Sequence, residues 1–185
     1  MYKSDCGCPS CRAKAAGGFE IMEFGRSERL FSEAQEMALA MELLSVSSEA
    51  ELEQFLGNVF KSVWKGVKKA GSAIGKAVKP LGGVLKGVAK QALPFVGGAL
   101  GSMIPIPGVG TALGSALGGA LGKALELEFG ELAMEEREFE MARRFVRIAG
   151  SAARAAGEGD GSPAAVRQAL LQALRQHAPH FGTWT

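Results

Sequence analysis

Residues 110–122 read Gly110-Thr-Ala-Leu-Gly114-Ser-Ala-Leu-Gly118-Gly-Ala-Leu-Gly122, with four glycines at strict four-residue spacing. On an α-helix this spacing stacks them on one face, where the missing side chains let a second backbone approach closely. Four in succession are far more specific than a single G-x-x-x-G, which arises often by chance. The run reads as a glycine zipper on one arm of a helical hairpin, with Gly97 and Gly101 supplying small residues on the other arm. Between the arms, Ile104-Pro105-Ile106-Pro107-Gly108-Val109-Gly110 must turn, because two prolines remove backbone donors and the glycines allow positive φ. Such a zipper serves helix association inside a bilayer or pore. It equally serves tight packing of a buried hairpin in a soluble bundle, or between subunits of an assembly.

The hairpin occupies 91–129, and its residues 91–122 carry no charge at all. The Pro-rich turn breaks the apolar run, and at 1.5 Å per residue the first arm, 91–104, spans about 21 Å against a hydrocarbon core of roughly 30 Å. Neither arm is a solitary membrane span on this arithmetic.

The preceding stretch, 61–90, holds eight lysines and no acid. On a helical wheel Lys61, Lys65, Lys68, Lys69, Lys76 and Lys79 fall within an arc of about 100°, opposite Val63, Val67, Ala70, Ile74, Ala77 and Val78. Pro80 is expected to interrupt the helix, after which Lys86 and Lys90 face away from Val84, Leu85 and Val88 in a second amphipathic piece. Trp64 lies at the boundary of the two faces, a place where an indole suits a lipid headgroup region. Such a segment can lie on an anionic bilayer with its lysines on the wet face. It can also be a surface helix whose apolar stripe faces the protein's own core. Six glycines within it weaken an autonomous helix and call for close packing in compensation.

Acidic segments flank this basic block: 19–60 carries a net charge of −7 and 123–141 carries −5. In the first, a helix over 27–44 places Leu30, Phe31, Ala34, Met37, Ala38, Met41 and Leu44 on one face and Glu28, Glu33, Glu36 and Glu42 on the rest. Ser48 with Glu51 three residues later marks a capping box that starts the next helix. After the hairpin, Gly130 is a C-cap, and 131–156 forms an amphipathic helix with Leu132, Met134, Phe139, Ala142, Phe145, Val146 and Ala149 facing the core. The Gly-rich stretch 157–161 is a linker, and Ser162-Pro163 opens a last helix to about Gln176.

The fold class is therefore all-α: amphipathic helices around a glycine-zipper hairpin, with a flexible N-terminal tail that contains the cysteines. The chain divides into that tail (1–25), an acidic amphipathic helix and the start of a second (26–57), a Lys-rich amphipathic segment (58–90), the Gly-rich hairpin (91–129), an amphipathic helix (130–156), and a linker with a C-terminal helix (157–185).

Composition points away from catalysis. Of the 19 acids 17 are Glu, and there are two His and one Tyr, whereas acid–base and nucleophilic mechanisms draw on His, Asp, Cys and Tyr held on rigid elements. No cofactor is implied. The three cysteines, Cys6, Cys8 and Cys11, form a short cluster in which an odd count argues against a paired disulfide framework. A weak metal site, a redox or cross-linking role, or an ordinary terminal tail all suit it; a fourth ligand would have to come from His177 or His180 at the far end. No secretory signal opens the chain, because 2–14 carries charge, Pro and Cys where an apolar run is needed. Synthesis in the cytoplasm follows, with membrane association or export by another route.

The run 42–57, the block Ala92-Leu-Pro-Phe-Val-Gly-Gly-Ala-Leu-Gly101 and the stretch Glu138-Phe-Glu-Met-Ala-Arg-Arg-Phe-Val-Arg147 resemble a group of uncharacterised bacterial proteins with an acidic N-terminal part and a Gly-rich middle. The resemblance covers about 42–156 and implies a bacterial source, but no catalytic or binding residue. The segment 61–90 is similar to cationic membrane-active peptides, and Glu51-Leu52 leading to Leu56-Gly57 is similar to the end of a bacteriocin leader, although Asn58 stands where such leaders carry a second Gly.

Two functions follow as expectations. In the first, a non-enzymatic membrane protein docks its lysine face (Lys61, Lys65, Lys68, Lys69, Lys76, Lys79, Lys86 and Lys90, with Trp64) on anionic lipid and inserts its hairpin. The acidic segments then shield the basic one in the unbound form. In the second, a structural protein self-assembles into a homo-oligomer or filament through the helix-packing glycines Gly97, Gly101, Gly110, Gly114, Gly118 and Gly122. Nucleic acid fits less well, since the lysine stripe lacks Arg and has Trp64 alone for base stacking.

Overall fold

The computed structural model describes residues 30–65, 71–99 and 109–182, and these form helices and connections without a strand. The helices are α1 (Glu33–Leu44), α2 (Glu49–Trp64), α3 (Gly71–Ala92), α4 (Pro94–Ala99), α5 (Val109–Phe129), α6 (Met134–Glu158) and α7 (Pro163–His177). The cysteine cluster, Lys68, Lys69, Gly101 and the turn at Pro105 and Pro107 lie outside the described residues.

α6 is the hub, touched by α1, α2, α3, α5 and α7. Its inner face is built from small residues: Ala142, Ala149, Ala152, Ala153 and Ala156 are fully buried beside Phe145 and Ile148. Where neighbours cross most closely, even a methyl is absent. A Cβ on Gly150 would lie 2.5 Å from the Phe31 ring, and one on Gly157 would lie 2.6 Å from the Trp64 indole nitrogen. Around this hub Phe55, Leu52, Leu43, Leu81, Leu85, Leu121, Leu125 and Leu170 close one continuous apolar core.

Helix starts follow the expected chemistry. Ser48 Oγ accepts from the Glu51 N–H at 3.3 Å, and Glu51 returns its carboxylate one residue further back, to the Ser47 N–H at 2.7 Å. Ser162 caps α7 at the Ala165 N–H, with Pro163 in the first turn. A reciprocal capping box between Ser32 and Gln35 starts α1, later than the expected Ser27.

The sequence reading needs four structural corrections. First, α1 turns a different face inward. Glu36, Ala40 and Leu43 are buried, while Ala34 and Ala38 are exposed and Met37 and Met41 are 43% and 62% exposed. The reason is electrostatic: Glu36 meets Arg143 and Arg147 of α6, and that pairing sets the rotation of the helix. Second, Met134, an expected core residue, is exposed at the first turn of α6.

Third, Pro80 does not interrupt its helix; α3 runs through it. Proline removes one i→i−4 bond, but here the carbonyl left without that donor belongs to Lys76, on an exposed turn, while packing against α5 holds the rest. Fourth, among the described residues the glycine-rich helix α5 packs chiefly on α3, along Val84 to Ala92, so that the first two residues of the expected 91–104 arm, Gln91 and Ala92, take part as the end of α3 before the chain breaks at Leu93 and continues as the short α4. A Cβ on Gly114 would fall 2.8 Å from the Val84 carbonyl oxygen and 3.1 Å from Gly87 Cα; one on Gly118 would fall 3.0 Å from Val88 Cα. Gly122 lies against Ala92 in the same way, at 3.3 Å. The longer helix offers the small face, so it takes the contact.

Candidate functional site

The lysines on α2 and α3 are sorted by position along an antiparallel hairpin. Glu49 and Glu53, one turn apart on α2, face Lys86 and Lys90, one turn apart on α3. Lys86 Nζ lies 3.1 Å from Glu49 and makes a short contact with Glu53, and Lys90 Nζ lies 3.1 Å from the second Glu49 oxygen. Further along, Gly82 faces the Phe60 ring, which places Lys61 and Lys65 at the same end of the hairpin as Lys76 and Lys79. All four are exposed. The hairpin is therefore neutralised at one end and cationic at the end nearest its connection.

The protonation chemistry agrees. The Glu49 carboxyl is held below its usual range by the hydrogen bonds from Lys86 and Lys90. For Lys86, burial draws the pKa down, but the hydrogen bonds to Glu53 and Glu49 outweigh it and the net shift is upward. Among the described residues acid near the cationic end is sparse: Glu158 is 3.3 Å from Arg154, and Asp160 receives the Ser162 hydrogen bonds that lower its pKa, with Lys76 a further positive neighbour.

Trp64 serves the fold. Its ring packs tilted against Phe60 with centroids 5.1 Å apart, and its Nε1–H donates to the Ala153 carbonyl at 2.9 Å, fastening this end of α2 to α6. Of the candidate helix-packing residues, Gly114, Gly118 and Gly122 lie at the α3–α5 crossing, and Gly97 sits over the Lys90 carbonyl, where a Cβ would come within 2.6 Å. Gly110 is in the first turn of α5.

A second polar cluster ties four helices together. Glu36 of α1 receives Arg143 and Arg147; Arg144 pairs with Glu128 of α5 and donates to the His177 carbonyl; Ser151 Oγ lies 2.6 Å from His177 Nε2 at the end of α7. His177 is thereby engaged with Ser151. Among the described residues no group of three His, Cys, Asp or Glu could hold a metal ion.

Sequence reasoning missed Glu49 and Glu53 as the partners of Lys86 and Lys90. The signal was present in the matched spacing of two acids four apart and two lysines four apart, but nothing in the sequence set the two helices antiparallel and in register. No protein-family model, curated protein or solved structure matches the chain. No helix among the described residues is long and apolar enough to cross a membrane.

Proposed function

We propose that this is a non-enzymatic protein that docks on anionic membrane lipid through the cationic end of the α2–α3 hairpin. The observation that carries the reading is the segregation of charge: Lys61, Lys65, Lys76 and Lys79 stand exposed together, whereas Lys86 and Lys90 are neutralised. Clustered lysines near an anionic surface contribute about 1 kcal/mol each. Insertion of the Gly-rich segment 91–129 as a glycine zipper would be a second stage, in which α5 exchanges its contacts with α3 for contacts in lipid.

Flotation of the full chain with anionic and with neutral liposomes, at low and high salt, tests the reading. Co-flotation with anionic vesicles alone, weakened by salt, is expected. Absence of flotation at low salt overturns it.

Self-assembly into a homo-oligomer is the second reading, and a different observation favours it: Ala34, Met37, Ala38 and Met41 form an exposed apolar stripe along α1. Lipid-independent growth in mass with concentration would select it.

A further inference from the structure

The two ends of α6 carry unpartnered surfaces of opposite sign. Trp64 bonds to the Ala153 carbonyl and lies against Gly157, so the end of α2 with Lys61 and Lys65 sits beside the last turns of α6, and Lys76 and Lys79 of α3 share that end. At the other end, the turn from α5 into α6 leaves two large apolar side chains bare: Leu127 is 59% and Met134 66% exposed. Glu126, Glu131, Glu135 and Glu136 surround them, all exposed and none in an ion pair with a described residue. Their neighbours Glu128 and Glu140 are paired, with Arg144 and Arg143. Lys123 and the half-buried Arg137 offset part of this charge and leave the acids in excess.

Within one chain the two surfaces cannot meet. From Ala153 to Met134, α6 spans about 30 Å at 1.5 Å per residue. The screening length at physiological ionic strength is only about 8 Å. Between two copies they match in two respects. Four exposed lysines face four exposed carboxylates, and the methylene stems of the lysines can cover Leu127 and Met134 while their ammonium groups reach the acids.

We propose that the α5–α6 turn of one copy docks head to tail on the cationic end of the α2–α3 hairpin of a second copy. The two faces differ, so each contact leaves one of each kind free, and assembly continues as a chain or closes as a ring. Exposed ion pairs are individually weak, which makes the association concentration-dependent and sensitive to salt. The contact does not require lipid, although it uses the lysines assigned above to bilayer docking and so competes with it.

Sedimentation of the full chain over a range of concentrations, without lipid and at low and high salt, tests the proposal. Growth in mass is expected at low salt, with high salt weakening the association about tenfold. Glu126→Lys with Glu131→Lys should leave the chain monomeric, as should Lys76→Glu with Lys79→Glu. Mixing these two variants should restore growth, because each then meets an end of opposite sign. Cooperative urea unfolding shows that both variants are folded.

A wild type that stays monomeric at low salt overturns the proposal. So does growth undiminished in either variant, or a mixture that stays monomeric. Growth that survives high salt also overturns it, since that is the behaviour of an apolar contact through the α1 stripe. Flotation is a separate readout: Glu126→Lys with Glu131→Lys keeps the four lysines and should float as the wild type does. Loss of wild-type flotation with salt-sensitive growth intact would count against membrane docking and leave the head-to-tail contact standing.

Discussion

Arg147 grips Glu36 with two bonds, Nε to Oε2 at 2.8 Å and Nη2 to Oε1 at 2.7 Å, across the contact between α6 and α1. Arg143 adds a third at 2.9 Å. Glu36 is the one buried acid among the described residues, and this pairing turns α1 so that its methionines face outward.

Glu36→Ala should therefore destabilise the fold by about 3 kcal/mol, at the low end for a broken buried pair because the Arg147 side chain remains 39% exposed. Urea unfolding measures it. A change below about 0.5 kcal/mol would mean that apolar packing, not the ion pair, sets the rotation of α1.

Stability should fall in two stages on acidification. His177 is pushed below its ordinary 6.5, first by burial and then by Arg147 and Arg144, with Glu36 opposing and Ser151 alongside. A depressed folded-state pKa contributes stability that is complete above the unfolded value and is lost as pH falls through the folded one, so the first loss begins below about 6.5. For Glu36, burial raises the pKa but Arg147 and Arg143 outweigh it, leaving it below 4.5, and Glu49 is lowered as well. The second loss accordingly begins below about 4.5. Denaturant midpoints taken from pH 8 to 3 should show both stages, and His177→Gln should remove only the first.

Adjacent glycines on α5 should respond with opposite sign. A Cβ on Gly118 meets Gln91 Cβ at 2.6 Å, so Gly118→Ala should cost about 1–3 kcal/mol by forcing α3 and α5 apart. On Gly119 it meets nothing within 4 Å, so Gly119→Ala should stabilise by about 0.5–1 kcal/mol through helix propensity alone. Thermal unfolding of the two variants side by side decides this; equal effects would mean the crossing is looser than described.

Neutralising the partners of the inner lysines should strengthen docking. Glu49→Gln with Glu53→Gln frees Lys86 and Lys90, and each lysine newly available to an anionic surface adds about 1 kcal/mol. Vesicle titration should show tighter binding and a steeper dependence on salt. Unchanged binding would confine the docking surface to the end that carries Lys61, Lys65, Lys76 and Lys79.

Much of the helical order was legible. Ser48, Ser162 and Pro163 punctuate the chain through local chemistry, so their helix starts could be read from a few neighbouring residues. The rotation of α1 could not, because the pattern of Ala34, Met37, Ala38 and Met41 is locally the better apolar face; only Arg143 and Arg147, more than a hundred residues away, reverse it. Pro80 misled for a similar reason, since its local cost is fixed while the packing of α3 on α5 that offsets it is tertiary. The small face of α5 was plain in the sequence, but its seat on α3 is tertiary, and no local pattern names the partner of a glycine-lined face.

α3 is held on its two sides by forces of different kinds. Toward α2 its apolar contact is supplemented by ion pairs whose carboxylates are partly exposed, and salt weakens such pairs. Toward α5 it is fastened by the fit of backbone against backbone, on which dissolved ions have little purchase. Ionic strength is thus a selective solvent handle on this fold: raising it loosens one neighbour of α3 and leaves the other seated, so any salt-driven opening should begin at α2 and proceed outward from the carboxylates.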